Sequence, residues 1–303
     1  MKFGKLADLS SVDFQLPADP PDNFSRLDRY QNAAGIPAEV LIGATGWSMK
    51  EWVGRWYAPK TKSSEYLQQY GRLFNTIELN TTHYRIPSIE QVQKWTEQVP
   101  DDFRFCPKLP QRISHVNGLG LGTTIIPEVV RAMDAFGEKL GCCFIQLPPY
   151  FDASRLAVLD QFLAAWPQLL PLAVEVRHAS WFADHKSTNS WLDTLAKHQA
   201  TAVITDVAGR RDVLHMGVTS TRTMIRFVGN GMVASDRERM QSWINRLQKW
   251  RLPEVYFFPH QPDNLLAPDA ASWFNQQLAT ADWVNSRGPQ LYEAPPEDQL
   301  SLF

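Results

Sequence analysis

Cysteine is scarce in this sequence, and long hydrophobic runs are missing. The chain has 3 cysteines among 303 residues, too few for a disulfide framework, and Cys142 and Cys143 are adjacent in an apolar segment. We expect buried, reduced thiols, which favours a cytoplasmic protein. No run of about 18 apolar residues occurs, so no membrane span is predicted. The N-terminal segment also lacks an apolar stretch of signal-peptide length.

A strong excess of charge of one sign is missing as well. The formal net charge is −2, so no global basic field points to nucleic acid, although a local basic groove would be hidden in that average. The nucleotide-binding patterns GxGxxG and GxxxxGK[ST] do not occur, nor do HExxH, CxxC or GxSxG. The cofactor is therefore unassigned, and a divalent metal is left open without any ligand spacing to indicate it.

Short apolar segments alternate with stretches of helical period from residue 40 onward. Eight strands are predicted, at 40–47, 76–80, 103–109, 142–148, 172–178, 201–207, 223–229 and 254–260. Between them, apolar stripes such as Tyr66, Leu67 and Tyr70 predict helices, and the spacings Ser88–Gln91 and Ser235–Glu238 predict two helix starts. The stretch between the sixth and seventh strands has no convincing helical pattern.

Eight strand–helix units predict an α/β protein with a single (β/α)8 TIM-type barrel over residues 38–285. Residues 1–37 are polar and interrupted by proline, so we interpret them as an N-terminal extension around the outside of the barrel. Residues 286–303 are predicted to be a flexible C-terminal tail. A doubly wound open sheet is the competing fold, but it would need a ligand motif of its own.

Polar residues concentrate at the C-terminal ends of the predicted strands, where TIM barrels carry their chemistry. The candidate catalytic residues are Glu78, Asn80, Lys108, His115, Glu175, Arg177, Asp206 and Arg226. The candidate substrate-binding residues are Thr45, Trp47, Tyr84, Arg85, Gln146 and His178.

The spacing of these residues suggests how they are arranged. Glu78 and Asn80 are two apart, and so are Glu175 and Arg177, so each pair shares one face of its strand. If all the charged residues point into the barrel mouth, three carboxylates balance three cations. Such a cluster could bind an anion and keep a carboxylate as a base. A purely structural network of ion pairs is the alternative.

Six ordered segments resemble successive blocks of the YecE-like family, domain of unknown function 72. They are IGATGWSMKEWVGRWY, FNTIELNTTHYRIPS, DFRFCPKLPQRISH, IQLPPYF, AVEVRHASWF and IRFVG. The resemblance implies a TIM barrel with no securely assigned activity. That barrel is similar to the endonuclease IV class, which suggests phosphodiester hydrolysis on a nucleic-acid or nucleotide substrate by fold analogy. The histidine-rich zinc pattern of that class is missing here, and His83 stands where many family members have an aromatic residue.

The last five residues, QLSLF, resemble the bacterial sliding-clamp-binding motif. Gln299 would supply an amide for fixed hydrogen bonds, and Leu300, Leu302 and Phe303 would be apolar anchors on either side of Ser301. The resemblance predicts the bacterial DNA sliding clamp as a partner and DNA repair as the context. A tail that folds back onto its own barrel is the alternative.

Three functions follow from these patterns. The first is a hydrolase of DNA metabolism that acts on nucleic-acid phosphate and is recruited through the tail. The second is a small-molecule enzyme, a hydrolase or isomerase of a sugar or sugar phosphate. The third is a non-catalytic adaptor that binds the clamp. A nuclease and phosphatase screen tests the barrel mouth, and clamp binding with and without residues 299–303 tests the tail.

Overall fold

The computed structural model describes residue 4 and residues 6–293 of an α/β protein. Each of the eight predicted segments overlaps a strand, although β1 starts and ends earlier than predicted: β1 (Ala38–Ile42), β2 (Thr76–Leu79), β3 (Arg104–Pro107), β4 (Cys143–Gln146), β5 (Leu172–Glu175), β6 (Thr201–Asp206), β7 (Arg222–Val228) and β8 (Glu254–His260). A ninth strand, β9 (Val284–Arg287), follows, which the sequence pattern does not predict.

Parallel pairing arranges these strands as a TIM-like barrel, as predicted. Seven strands pair in the order β4-β5-β6-β7-β8-β1-β9, and β2 pairs with β3. The amide of Leu109, just after β3, donates to Phe144 O of β4 at 2.8 Å. On the other side, Glu78 N of β2 donates to Ala44 O, just after β1, at 3.1 Å. These bonds join the two-stranded piece to β4 on one side and to the segment after β1 on the other.

The junction between β1 and β2 is unusual because β9 occupies most of the β1 edge that β2 would otherwise fill. The Asn75 side chain satisfies the backbone there: it accepts from Ile42 N at 2.8 Å and donates to Val40 O at 3.3 Å. The two backbone segments approach so closely at Gly43 that a Cβ at this position would lie 2.1 Å from Thr76 O. Only glycine fits this crossing.

Nine α-helices are present among the described residues: α1 (Asn23–Tyr30), α2 (Tyr66–Leu73), α3 (Ile89–Thr96), α4 (Gln111–Ser114), α5 (Ile125–Asp134), α6 (Leu156–Ala165), α7 (His185–Lys197), α8 (Ala234–Trp250) and α9 (Ala267–Leu278). Ser88 caps α3 as predicted and accepts from Gln91 N at 3.2 Å. The predicted cap at Ser235 is wrong, because α8 begins at Ala234 and its N-cap is Val233. Asp236 instead accepts from the amide of Met232 at 3.0 Å.

Helix α1 fills the gap left by a missing helix between β6 and β7. As the sequence pattern indicates, residues 207–221 form no α-helix and contain only the short 3₁₀ turn Arg211–Val213. Asn23 of α1 is buried against this connection. Its side chain donates to Met216 O and accepts from Val218 N at 3.1 Å.

Contacts to the helices on both sides of that gap hold α1 and the residues before it in place. Arg26 donates to Asp193 of α7 at 2.6 Å. Just before α1, Asp19 accepts from Arg246 at 2.7 Å and from Lys249 at 2.9 Å, both on α8. The extension therefore supplies a piece of the barrel wall, in the position where a regular TIM barrel places the helix after β6.

Two apolar clusters stabilise the barrel. The outer cluster lies between the strands and the helices. The inner cluster fills the barrel interior and consists of Leu41, Cys106, Cys142, Phe144, Ala173, Val203, Met224, Tyr256 and Phe258. All three cysteines are buried and free. No helix in the described part of the chain is long and apolar enough to cross a membrane.

Candidate active site

A cavity of about 430 Å³ opens at the C-terminal ends of the strands. Its lining includes seven residues predicted from the sequence: Thr45, Asn80, Tyr84, Lys108, His115, Gln146 and Arg177. It also includes His83, Val228, His260, Gln261, Asp263 and Asn264, which the sequence did not single out as site residues. Its volume is typical of small-molecule sites, which span about 300–1,000 Å³.

Arg226 forms the base of this site by joining two buried carboxylates. The register that pairs Thr205 with Arg226 places the Arg226 side chain on the inner face of the barrel, where it is 1% exposed. Its Nε and Nη2 donate to the two carboxylate oxygens of Glu78 at 2.9 and 2.8 Å. Its Nη1 donates to Glu175 Oε2 at 2.5 Å. Both predicted carboxylates therefore accept hydrogen bonds from Arg226 at the base of the site.

Glu175 continues the network toward the cavity. Arg177 Nε donates to Glu175 Oε1 at 2.7 Å, and Gln146 Nε2 donates to Oε2 at 2.8 Å. The Gln146 Oε1 atom in turn accepts from Lys108 Nζ at 2.8 Å. Gln146 and Glu175 face each other across β4 and β5, because the two strands pair in that register. A continuous chain of hydrogen bonds thus runs from Arg226 to Lys108.

These contacts keep both carboxylates ionised. Burial alone would raise the pKa of Glu78, but Arg226 and His260 outweigh this and hold its pKa well below the ordinary value. Burial opposes ionisation of Glu175 in the same way, while Arg177 and Arg226 lower its pKa to about 2. At neutral pH both groups are hydrogen-bond acceptors that are already occupied, so neither is free to act as the general base.

Lys108 presents a different case, because its amine is buried without a carboxylate partner. Among residues 6–293, no carboxylate oxygen lies within the 4.0 Å salt-bridge limit of its Nζ. Burial and the nearby charge of Arg226 lower its pKa to about 8. An appreciable fraction of this amine is therefore uncharged at neutral pH, and an incoming anion would favour the charged form.

Two histidines stand beside Lys108. His83 Nδ1 donates to Leu109 O at 2.7 Å, which leaves Nε2 as an acceptor, and burial together with the Lys108 charge lowers the His83 pKa to about 4. His115 lies with its ring centroid 5.5 Å from that of His83. Burial, Lys108 and Arg177 also lower its pKa. Both rings are therefore neutral at physiological pH.

His260 completes a histidine–carboxylate pair at the end of β8. Its Nε2 donates to Glu78 Oε2 at 2.8 Å, which fixes the ring and leaves Nδ1 as the free nitrogen of the neutral form. Asn80 donates to the other Glu78 oxygen at 2.9 Å. The position of His260 at a strand end was the available sequence signal, but a single histidine next to a proline did not distinguish it from a loop residue.

Asp206 does not belong to this site, which corrects the sequence prediction. It is paired with Phe227 in the β6–β7 register and therefore points outward, toward α8. There it is fully buried and binds Arg239 at 2.8 Å and Trp243 Nε1 at 2.8 Å, with a further ion pair to Arg211. Its role is to hold α8 and the β6–β7 connection against the barrel.

Thr205, one residue earlier, is the β6 side chain that faces the barrel interior. It pairs in register with Arg226, and its buried Oγ1 has no hydrogen-bond partner among the described residues. The sequence could not separate it from Asp206, because a strand buried on both faces shows no alternation of polar and apolar residues.

Three predicted substrate-binding residues lie outside the cavity lining. Trp47 packs edge-on against Trp95, with ring centroids 5.9 Å apart. Arg85 is exposed on the surface, and His178 caps a 3₁₀ turn by accepting from Ser180 N at 3.1 Å. Tyr84 lines the cavity only at its rim, where it is 78% exposed.

Because Asp206 lies outside the site, the net charge of the barrel mouth differs from the sequence prediction. Counted over the described residues, Glu78 and Glu175 face three cations, Lys108, Arg177 and Arg226. With Lys108 protonated, these five groups carry one excess positive charge where the sequence predicted balance. Asp263 is the further acid in the lining, but it is exposed at the rim, where water screens its charge. Across residue 4 and residues 6–293, no three His, Cys, Asp or Glu side chains are grouped to hold a metal ion.

Comparison with known proteins identifies the family of this barrel. The model for "Protein of unknown function DUF72" matches residues 41–293. The chain belongs to the DUF72 family. The family resemblance of the six sequence segments is thereby confirmed, and the match extends from β1 to the end of the described residues.

Curated relatives of this DUF72 chain include two bacterial proteins. UPF0759 protein YecE of Escherichia coli strain K12 is 32% identical over 249 residues, which cover 76% of this chain and 89% of the relative. UPF0759 protein YunF of Bacillus subtilis strain 168 is 29% identical over 157 residues, which cover 48% of this chain and 52% of the relative. Neither name carries an activity.

Solved structures support the fold of this DUF72 chain. The DUF72 family protein TM1631 of Thermotoga maritima MSB8 is 24% identical with a TM-score of 0.65, and the match covers 80% of this chain and 99% of that one. The DUF72 family protein EF0366 of Enterococcus faecalis V583 is 20% identical with the same TM-score and the same coverage. At these identities the likeness shows the fold alone.

Proposed function

We propose that this DUF72 protein is an enzyme that acts on a small phosphate-bearing molecule bound in the barrel mouth. The observation that carries the proposal is the excess positive charge of the mouth. Both buried carboxylates are already bound by Arg226, and Lys108 and Arg177 line the cavity above them. A phosphate group placed there would neutralise the excess and accept charge-assisted hydrogen bonds.

The polar lining supports a hydrogen-bonded substrate. Beside the cations, the cavity offers amide and hydroxyl groups from Asn80, Gln261, Asn264 and Thr45, of which Thr45 and Asn264 are already bonded to each other at 2.9 Å. Amides and hydroxyls of this kind fix the orientation of a sugar or a base. The volume of about 430 Å³ accommodates a nucleotide or a sugar phosphate, which share this phosphate chemistry.

Proton transfer is assigned to His260. Its ring is oriented by Glu78, as the imidazole in hydrolytic triads is oriented by a carboxylate, and its other nitrogen is free to exchange a proton. Glu78 and Glu175 act as positioning residues in this scheme, since both are saturated with hydrogen bonds. The sequence prediction that one of them is the base is thereby revised in the proposal.

Phosphate binding tests the proposal directly. Replacement of Lys108 or Arg177 by methionine is expected to weaken binding of inorganic phosphate and nucleoside monophosphates about tenfold or more, because a charge-assisted hydrogen bond contributes about 1.5–3 kcal/mol. Titration calorimetry measures the affinities. Arg85→Met is the matched control, because it removes an exposed cation outside the cavity lining. Equal affinities in all variants would refute the anion site.

Turnover separates the two substrate classes. The wild-type protein is incubated with nucleotides, short single strands and sugar phosphates, with and without divalent cations, and release of phosphate or rearrangement of the sugar is followed. Turnover of nucleotides or strands favours a role in DNA metabolism, whereas turnover of sugar phosphates alone favours the small-molecule enzyme. Phosphate binding without turnover of any member of the panel would contradict the enzyme and leave a ligand-sensing adaptor.

We also propose that QLSLF docks on the bacterial DNA sliding clamp. The support is the sequence pattern itself, since Gln299 to Phe303 lie outside the described residues. Deletion of residues 299–303 is expected to abolish clamp binding, and Leu302→Ala is expected to weaken it more than tenfold, because each removes an apolar anchor of the motif and the loss of a hot-spot anchor costs about 2 kcal/mol or more. Surface plasmon resonance on immobilised clamp measures the effect.

Ser301→Ala is the matched control for the tail, since it changes a position between the anchors and is expected to bind within about twofold of the wild type. Equal clamp binding by the full chain and the deletion variant would show that the tail is not the docking element.

A further inference from the structure

Lys108 is held in a way that favours chemistry on its amine. Its backbone is fixed at the end of β3, where its amide donates to Leu79 O at 3.1 Å and its carbonyl accepts from Thr82 Oγ1 at 2.8 Å. The side chain is only 6% exposed, yet it lines the cavity. Its Nζ is oriented by a single acceptor, Gln146 Oε1, at 2.8 Å. The position of the amine is thus well defined at the cavity wall.

The surroundings of Nζ differ from those of a structural lysine. A buried lysine that only stabilises a fold is normally paired with a carboxylate. Here the contact is a neutral amide, and Gln146 stands between Lys108 and Glu175, whose other bonds come from Arg177 and Arg226. This arrangement raises the fraction of uncharged amine, which is the nucleophilic form, above that of an ordinary lysine.

We propose that Lys108 forms an imine with the carbonyl group of a phosphate-bearing aldehyde or ketone held in the barrel mouth. This inference rests on the proposed phosphate site and names the substrate class of that site. Arg177 would bind the phosphate, and the cavity volume leaves room for a carbon chain that carries the carbonyl group to Lys108.

The step is balanced without any further reactant. The Nζ lone pair forms a C–N bond to the carbonyl carbon, and the C=O π electrons move to oxygen, which takes up a proton. One amine proton leaves nitrogen to give a neutral carbinolamine. Its hydroxyl group takes up a second proton and departs as water while the nitrogen lone pair forms the C=N bond. The second amine proton then leaves nitrogen, so nitrogen loses two protons and the departing water carries two. One water molecule is released for each imine formed, and no oxidant or reductant is needed.

Neighbouring imidazoles can carry these protons. His83 and His115 are both close enough to Lys108 for its charge to lower their pKa values, and both line the same cavity. The His83 ring is fixed by its bond to Leu109 O, so its Nε2 is available as an acceptor. Imine formation and its reversal by water both need such a shuttle.

Reductive trapping tests the imine. The full-length protein is mixed with pyridoxal 5′-phosphate, an aldehyde that bears a phosphate, and sodium borohydride is added to reduce any C=N bond to a stable amine. Peptide mass mapping then gives the labelling rate of each lysine. At pH 7, a lysine with a pKa near 8 has on the order of a hundred times more free amine than one near 10.5. Allowing for the lower intrinsic reactivity of a weaker base, we expect Lys108 to be labelled about tenfold or more faster than the exposed Lys60.

Two controls make the outcome decisive. Lys108→Arg keeps a positive charge but carries no amine that can form an imine, so it is expected to lose the adduct while labelling of the exposed Lys60 stays unchanged. The rate at Lys108 should rise with pH and level off above about 8, as the amine loses its proton. Labelling of Lys108 no faster than that of Lys60, in a protein shown to be folded by circular dichroism, would overturn the imine.

The imine and the phosphate site can fail separately. Phosphate binding without a Lys108 adduct would reject the imine and leave the proposed function standing. Equal labelling of Lys108 by pyridoxal and by pyridoxal 5′-phosphate, together with no measurable phosphate binding, would support the nucleophilic lysine and reject the phosphate site.

Discussion

Replacement of Arg226 by methionine is expected to lower the free energy of unfolding at pH 7 by about 3–5 kcal/mol, because it leaves buried carboxylates without their main partner. Glu78 and Glu175 both lose their bonds to this guanidinium, which lies at the centre of the network. Methionine has a similar apolar length, so the change tests the charge and the hydrogen bonds more than the packing volume.

The pH dependence of this loss is a sharper test than its size. In the wild type the folded-state pKa of Glu175 is about 2, below the ordinary value of 4.5, so its contribution to stability is present above pH 4.5 and is lost as the pH falls toward 2. Without Arg226, burial shifts both carboxyl pKa values upward. If these folded-state pKa values rise above the ordinary value of 4.5 that the carboxyl groups have in the unfolded chain, the variant loses stability as the pH rises above 4.5. The deficit should therefore be smaller at pH 4.5 than at pH 7.

Urea denaturation at the two pH values measures the effect, and Arg222→Met is the matched control. Arg222 lies on the same strand at the opposite end of the barrel and pairs with Glu254, and both side chains are partly exposed at 32% and 24%. Its loss is expected to cost about 1 kcal/mol or less. A deficit for Arg226→Met that matches this control, or that is equal at both pH values, would contradict a buried carboxylate network held by one arginine.

Replacement of Asp206 by alanine is expected to destabilise the fold by about 3 kcal/mol and to leave phosphate affinity unchanged. The carboxylate binds Arg239, which is buried between it and two aromatic rings, those of Phe14 at 4.9 Å and Phe227 at 4.3 Å from the guanidinium carbon. Removal of the Asp206 carboxylate leaves this cation with a longer contact to a carboxylate, 3.4 Å to Asp236, beside its bonds to the backbone carbonyls of Val228 and residue 206. The cost is therefore structural.

Two measurements on one sample separate the structural from the catalytic role of Asp206. Urea denaturation gives the loss of stability, and calorimetric titration of phosphate at low temperature, where the variant is still folded, gives the affinity. Asp206→Asn is the matched variant, since it keeps the shape and the acceptor for Trp243 Nε1 but removes the charge. A tenfold fall in phosphate affinity in folded Asp206→Ala would place the residue back in the site.

Much of the barrel is predictable from the chain, and the physical reason is periodicity. Eight apolar segments at strand length, separated by helical stripes such as Tyr66, Leu67 and Tyr70, leave few alternative folds. Strand β9 is not predicted because its sequence VNSR has a single apolar residue and the strand pairs with β1 through its backbone. Helix α1 is not predicted because polar side chains, those of Asn23 and Arg26, make its principal anchoring contacts.

The site is only partly predictable, because strand ends indicate which residues are near the mouth but not which way they point. Glu78, Lys108 and Arg177 are found by position alone. Asp206 is misplaced because β6 is buried on both faces, so no alternation distinguishes its side chain from that of Thr205. The pairing of His260 with Glu78 joins residues 182 positions apart, a relation that only the closed barrel creates.

The order in which the barrel can be completed during protein synthesis follows from the place of α1. Helix α1 is synthesised before every other helix and strand of the described barrel, but its binding surface is formed by α7, the 216–218 connection and α8, which ends at Trp250. This helix must therefore wait until about two hundred further residues have been made. Such non-local closure slows folding and leaves Leu27 and the helix faces around it exposed in the meantime. A chain stalled before α8 would be a substrate for chaperones.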